Sequence, residues 1–329
     1  MKKSVNNLKE SKFNSRLIIL TLIIISLLLL TSCGQRVPGG EEPIDTATAL
    51  KMVQTGTQGI ELYLLPNQPP AYIYDQNELV ALVEVRNRGN YDLDPEYCFV
   101  QVTGFDTNII KGGLDIPKSC AENIGTLQGK NVYNVEGSTN LLEFRSPSVT
   151  LPLNVFDYNP TLNFVACYNY HTKANPQVCV DPLFYQVTAE QKTCIPQNVG
   201  MAGGQGAPVG VSYVGVDMIG DAAVFEINVV NYGQGRVLSP YSDIQNCGKA
   251  SLEYTDLDKV GFNVQLSGGN LIDCKPMDKF VRLTNNNGKI ICRFSIPVTS
   301  AFETPLMIDL DYNYIESTQK QIQIVKTPQ

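Results

Sequence analysis

Two stretches of this 329-residue chain carry the same pattern. Residues 78–93 read ELVALVEVRNRGNYDL and residues 221–238 read DAAVFEINVVNYGQGRVL. Setting Asn87 against Asn231 lays Leu79, Ala81, Val83 and Val85 over Ala223, Phe225, Ile227 and Val229. Apolar residues at every second position point their side chains to one face of a β-strand. Each run ends in Asn-x-Gly (Asn87-Arg88-Gly89 and Asn231-Tyr232-Gly233), residue types that tolerate the positive φ of a turn. A second pair, Cys167-Tyr168-Asn169-Tyr170 and Asp311-Tyr312-Asn313-Tyr314, falls at the same offset of 144 residues. Two matches at one offset define an internal repeat and predict two copies of one β-rich domain.

The remaining segments fit that reading. Runs of four to nine residues rich in Val, Ile, Tyr and Phe are separated by Gly, Pro and Asn at intervals of about ten residues, the spacing of an antiparallel sandwich. Aromatic character comes from 16 Tyr and 12 Phe, with no Trp. The expected fold is all-β, with two tandem Ig-like sandwiches over residues 59–190 and 209–329 and a Gly/Pro-rich linker over 191–208. Residues 162–170 and 177–180 read as a hairpin turning around 172–176, and Asn286-Asn287-Gly288 as a second hairpin turn. A short helix around 45–53 is compatible with the sequence.

The N-terminus has the grammar of an export signal. Lys2, Lys3, Lys9, Lys12 and Arg16 precede the apolar run LIILTLIIISLLLL at 17–30. As a helix that run rises roughly 21 Å, short of a hydrocarbon core of about 30 Å, so it suits a signal peptide over residues 1–32 better than a membrane span. Leu30-Thr31-Ser32-Cys33-Gly34 follows, and it resembles the lipobox of exported lipoproteins. The resemblance implies cleavage before Cys33 and a diacylglyceryl group on its sulfur, with 33–58 as a flexible tether. A plain signal peptide or an uncleaved anchor is the competing reading. Two acyl chains would hold the protein stably on a bilayer. Residues 1–32 account for five of the 25 Lys and Arg and one of the 32 acids, so the remainder has 20 bases, 31 acids and a net charge of −11. That charge argues against nucleic acid as a partner.

Nine cysteines leave eight once Cys33 is assigned to lipid, the arithmetic of four disulfides in an oxidising compartment. The hairpin reading pairs Cys167 with Cys179. Loosely similar positions in the two repeats suggest Cys98–Cys120 and Cys247–Cys274. Cys194–Cys292 remains, and Cys274–Cys292 is its main competitor. Zinc is the other use of cysteine, but no CxxC occurs and His171 is the only histidine.

The V-x-V-x-N-x-G strand, the Tyr-rich later strand and the closing hairpin are similar to CARDB-like and related Ig-like modules of prokaryotic surface proteins. The resemblance implies an adhesion, spacer or assembly module with a protein partner at the cell surface and no catalytic residue. His171, expected at a hairpin tip, reads as an exposed polar residue. Gly203-Gly204-Gln205-Gly206 lacks the GK[ST] ending of a phosphate loop and reads as linker. Acid pairs Asp92/Asp94, Asp256/Asp258 and Asp309/Asp311 offer oxygens for calcium without a full loop motif. No cofactor or metal site is expected. Tyr72, Tyr74, Tyr91, Tyr97, Tyr168, Tyr170, Tyr241, Tyr312 and Tyr314 either line a contact face or pack within the sheets. The competing function classes are a solute- or glycan-binding exported lipoprotein and an accessory subunit of an exported hydrolase.

Overall fold

The structure, a computed structural model, describes residues 46–186, 191–246, 248 and 252–328. A short helix α1 (Thr46–Gln54) precedes the first repeat. That repeat holds β1 (Ile60–Leu64), β2 (Tyr72–Tyr74), β3 (Leu79–Asn87), β4 (Cys98–Thr103), β5 (Ile110–Lys111), β6 (Lys118–Ser119), β7 (Thr139–Ser146), β8 (Ser148–Val149), β9 (Asp157–Tyr158), β10 (Thr161–Ala174) and β11 (Gln177–Val180). The second holds β12 (Val199–Gly200), β13 (Val209–Ile219), β14 (Ala222–Asn231), β15 (Arg236–Leu238), β16 (Lys259–Leu266), β17 (Asn270–Lys275), β18 (Phe280–Arg282), β19 (Asn287–Ser295), β20 (Phe302–Gln321) and β21 (Gln323–Val325). Among the described residues the fold is all-β apart from α1 and one 3-10 turn at Tyr254–Asp256.

The alternating strands behave as their sequence requires. Along β3, Leu79, Ala81, Val83 and Val85 are fully buried, as are Ala223, Phe225, Ile227 and Val229 along β14, while the residues between them are part-exposed. Burying each Val, Ile or Phe side chain contributes about 1.5–3 kcal/mol. β3 lies between β1 and β7, and β14 between β13 and β19. In both repeats the Asn of Asn-x-Gly faces the first residue of the preceding partner strand: Asn87 pairs with Ile60, and Asn231 with Val209.

The opposing layer is shared. Its eight-stranded sheet runs β18-β16-β20-β10-β4-β6, with β11 and β15 also paired to β20, so the repeats meet along β10 and β20. The antiparallel register runs unbroken from Thr161↔Gln321 to Ala174↔Ile308 and continues in step through Gln177↔Pro305 to Val180↔Phe302. Beyond the other end, β21 pairs with β9 through Ile324↔Tyr158 and Val325↔Asp157, again in step. At the centre Asn169 faces Asn313, its own counterpart in the repeat, while Tyr168 faces Tyr314 and Tyr170 faces Tyr312. A local two-fold axis therefore relates the two halves of the ladder. Phe144 of β7 meets Phe164 of β10 edge-on at 6.5 Å, which packs one sheet of the first repeat onto the shared one.

This ladder overturns the hairpin expected at 172–176. β10 and β11 follow one another along the same partner, β20, so the chain runs straight through Asn175-Pro176. Residues Asp45–Gln329 form one compact unit. The glycine-rich stretch before β13 is pinned on the first repeat: Gly206 N donates to Gly56 O at 2.9 Å, and Asn90 N and Nδ2 donate to Gly206 O and Gln205 O, each at 2.9 Å. At the C-terminus β21 joins β2 in parallel, and the tail beyond it closes on buried Asp75. Thr327 donates to Asp75 Oδ1 through N at 2.7 Å and Oγ1 at 2.8 Å, and Lys326 Nζ lies 3.0 Å from Oδ2.

Candidate functional site

Four tyrosines occupy the two-fold. Tyr168, Tyr170, Tyr312 and Tyr314 are all fully buried. Their rings stand 5.7 Å apart for Tyr168–Tyr314 and 6.4 Å for Tyr170–Tyr312. Each hydroxyl finds a partner, as a buried polar group must. Tyr170 donates to Asn87 Oδ1 at 3.2 Å and accepts from Tyr91 N, and Tyr314 donates to Asn231 Oδ1 at 3.0 Å and accepts from Gly235 N. Tyr168 accepts from Ile60 N at 3.1 Å and Tyr312 from Val209 N at 3.2 Å. Burial pushes all four phenols well up from their ordinary value.

Asn-x-Gly is therefore more than a turn signal. Asn87 Nδ2 donates to Tyr91 O and Leu127 O, and its Oδ1 accepts from Gly89 N as well as from Tyr170. Asn231 repeats the pattern with Gly235 O, Gly233 N and Tyr314. Neither Gly89 nor Gly233 has a positive φ. Each is glycine because a Cβ would strike a tyrosine hydroxyl, that of Tyr170 or of Tyr314. The expected tyrosine contact face thus loses these four to the core. Tyr72, Tyr74, Tyr97 and Tyr241 are exposed, and Tyr91 is half-buried with its ring 5.6 Å from that of Tyr170.

The disulfides differ from the expected map. Cys98 is bridged to Cys120, the pair the sequence suggested. Cys179 is bridged to Cys194, which replaces both Cys167–Cys179 and Cys194–Cys292. The reason is the straight strand. Cys167 and Cys179 are twelve residues apart along one extended run, roughly 40 Å, against the 7 Å limit for a bridge. Cys167 is itself disulfide-bonded. Cys274 is bridged to Cys292, displacing Cys247–Cys274; the two face each other across β17 and β19 with a Cα separation of 4.1 Å. Cys33 and Cys247 lie outside the described residues. Cross-links of this kind form and persist in an oxidising, extracytoplasmic compartment.

The acid pairs mostly brace loops. Asp92 Oδ1 accepts from Gly129 N, and Asp94 Oδ1 from Thr126 Oγ1. Asp309 and Asp311 lie on the outer face of β20, where His171 Nε2 is 3.4 Å from Asp309 Oδ1 and Asn169 donates to Asp311. His171 lies within β10 rather than at a hairpin tip. Among the described residues, no group of three or more His, Cys, Asp or Glu is arranged to hold a metal ion.

Two clefts related by the local two-fold sit where the Asn-x-Gly turns meet the ladder. In the first repeat, Asn90, Tyr91, His171 and Lys173 line a cleft of about 360 Å³. At the same offset in the second, Gln234, Gly235, Ile315 and Ser317 help line a cleft of about 570 Å³, joined by Arg236, Asp258, Asn285, Asn286 and Glu316. Arg236 Nη2 lies 3.4 Å from Asp258 Oδ2. Glu316 has no hydrogen-bond or ion-pair partner among the described residues. Burial, and then the charge of Glu61, pushes its carboxyl up to about 7. Sequence reading did not single out Glu316, because its counterpart in the first repeat, Thr172, carries no charge.

No known protein family and no curated protein matches the chain. Among solved structures, the secreted serine protease VesC from Vibrio cholerae is similar at 11% identity over 80% of this chain and 51% of that one, with a TM-score of 0.19. The chain spans about half the length of that structure, and a likeness at this score carries no argument about fold or activity. Among the described residues no helix is long and apolar enough to cross a membrane.

Proposed function

We propose that this chain is an exported lipoprotein, anchored through acyl chains on Cys33, that acts as a non-catalytic adhesion, spacer or assembly module at the cell surface. The observation that carries the reading is the disulfide-braced β body, with bridges in both repeats and a ladder that joins them. Such a frame suits a component that presents surface and bears load outside the reducing cytoplasm. The resemblance of Leu30-Thr31-Ser32-Cys33 to a lipobox supports the anchor, and the similarity of both repeats to CARDB-like modules supports the interaction role.

Mass spectrometry of the protein extracted from membranes tests the anchor. A mature N-terminus at Cys33 carrying a diacylglyceryl mass is expected. An unmodified Cys33 in the mature protein would refute the lipoprotein assignment. Crosslinking in intact cells through the exposed tyrosines tests the interaction role: a reproducible attached protein is expected, and its absence in favour of enzymatic turnover of a surface polymer would refute it.

A further inference from the structure

The two related clefts are not equally furnished, and the difference points to a ligand. In the first repeat, the cleft is narrowed by the Tyr91 ring, which leans on Tyr170 at 5.6 Å and on His171 at 5.8 Å. The second repeat has Gly235 where the first has Tyr91, Ser317 where it has Lys173, and Glu316 where it has Thr172. Thr172 is buried and used within the fold, donating to Val209 O at 2.7 Å and sharing a hydrogen bond with the Tyr312 hydroxyl. The ladder therefore needs no carboxylate at this register position. A wider cleft with an added carboxylate is a feature of the second repeat alone.

Charge accounting defines what the cleft lacks. Arg236 is engaged by Asp258, which leaves Glu316 as the uncompensated group. The groups that act on it from the packed elements are Glu61 on β1, itself within 3.1 Å of Arg88, and the hydroxyls of Tyr168 on β10 and Tyr314 on β20. None of these supplies a free positive charge. A partly buried carboxylate without a counter-ion is costly, and a cation that reaches it recovers part of that cost. One free carboxylate is too few for a divalent metal, which takes several oxygens. Around it Gln234, Asn285 and Asn286 contribute amides, whose oxygens accept from the further donors of an ammonium group.

We propose that the second-repeat cleft binds a ligand bearing a primary ammonium group flanked by hydroxyl or amide groups, with the Glu316 carboxylate as its counter-charge. The cleft volume of about 570 Å³ lies in the range of small-ligand sites. A lysine side chain and an amino sugar share this chemistry. The inference does not depend on lipidation of Cys33 or on the adhesion role. Because the free carboxyl titrates near 7, affinity for a permanently charged amine rises with pH through that value.

The test is ligand-observed saturation-transfer NMR on the full chain in detergent. The probes are glucosamine and Nα-acetyl-lysine methylamide, each beside its N-acetylated, uncharged form. Binding of at least one amine is expected, weakened about tenfold or more by acetylation and by Glu316→Gln. For the lysine derivative, binding at about pH 8 should exceed that at about pH 5. Ser317→Lys, which adds a positive charge beside Glu316, should block the site as well. Response to glucosamine alone identifies an amino sugar, and response to the lysine derivative alone a protein side chain. Absence of binding by both amines, equal binding of the acetylated forms, or binding unchanged by Glu316→Gln would overturn the proposal. Glu316→Gln removes a charge that burial penalises, so its loss of binding would not reflect misfolding.

Discussion

Asn87 and Asn231 each satisfy a tyrosine hydroxyl, a turn amide and a carbonyl four residues on, so one side chain ties a core ring to the backbone that covers it. Asn87→Ala leaves the Tyr91 carbonyl without its donor, takes one of two donors from Leu127 O, and removes the acceptor of Tyr170. A loss of about 2–4 kcal/mol is expected, read as a lowered urea midpoint with an unchanged slope. Gly89→Ala should be worse than Asn87→Ala, because the added Cβ meets the Tyr170 hydroxyl. The sequence marked these positions as turns but could not show their load, since the tyrosines that fill the space lie about eighty residues away. At Glu316 the sign of the pH effect is opposite to the usual carboxylate. Its folded value is raised from 4.5 to about 7, so the stability tied to its protonated form is complete below about pH 4.5 and is lost as pH rises towards 7. Glu316→Gln should therefore stabilise the fold near pH 8 by on the order of 1–2 kcal/mol after allowance for solvent screening, read as a raised melting temperature, and leave it unchanged near pH 4.

At the scale of elements, period-2 alternation located β3 and β14 to within a residue, because one face of each is buried and the other is not. The same reasoning failed at β10 and β11. Asn175-Pro176 has the composition of a turn, yet the proline falls at a break between two collinear strands, where no ladder hydrogen bond from its nitrogen is needed. The disulfide map failed with it, since Cys167–Cys179 presumed a reversal of the chain. Non-reducing peptide mapping should recover Cys98–Cys120, Cys179–Cys194 and Cys274–Cys292; a peptide joining Cys167 to Cys179 would contradict the straight strand. The C-terminal strand β21 belongs to the first repeat's surface, a pairing that strand periodicity does not reveal. Its clamp rests on Asp75, whose carboxyl is held below the usual range first by the Thr327 amide, then by the Thr327 hydroxyl and Lys326. The stability it contributes is present above the ordinary value of 3.8 and is lost as pH falls below it. Asp75→Ala leaves Lys326 and Thr327 without their acceptor and should cost roughly 3–5 kcal/mol, with the Ile324 amide among the first to gain exchange rate.

For the whole molecule, the offset of 144 residues announced a duplication but not how the copies meet. Asn169 facing Asn313 and the paired tyrosines on either side answer that: each copy's central strand is the other's neighbour, and the last strand of the second copy crosses to the first. The signal for this was present in the sequence as the shared Tyr-Asn-Tyr, but a strand's partner is set by packing between distant segments, which periodicity does not encode. A body joined along β10 and β20 cannot lose one repeat without exposing the two buried tyrosines of the other's core. The most direct test is differential scanning calorimetry of the disulfide-intact protein, alongside a fragment covering residues 209–329. The shared ladder predicts a single transition with matching calorimetric and van't Hoff enthalpies, and a fragment without a cooperative transition. Two separable transitions, one of them reproduced by the isolated fragment, would contradict it.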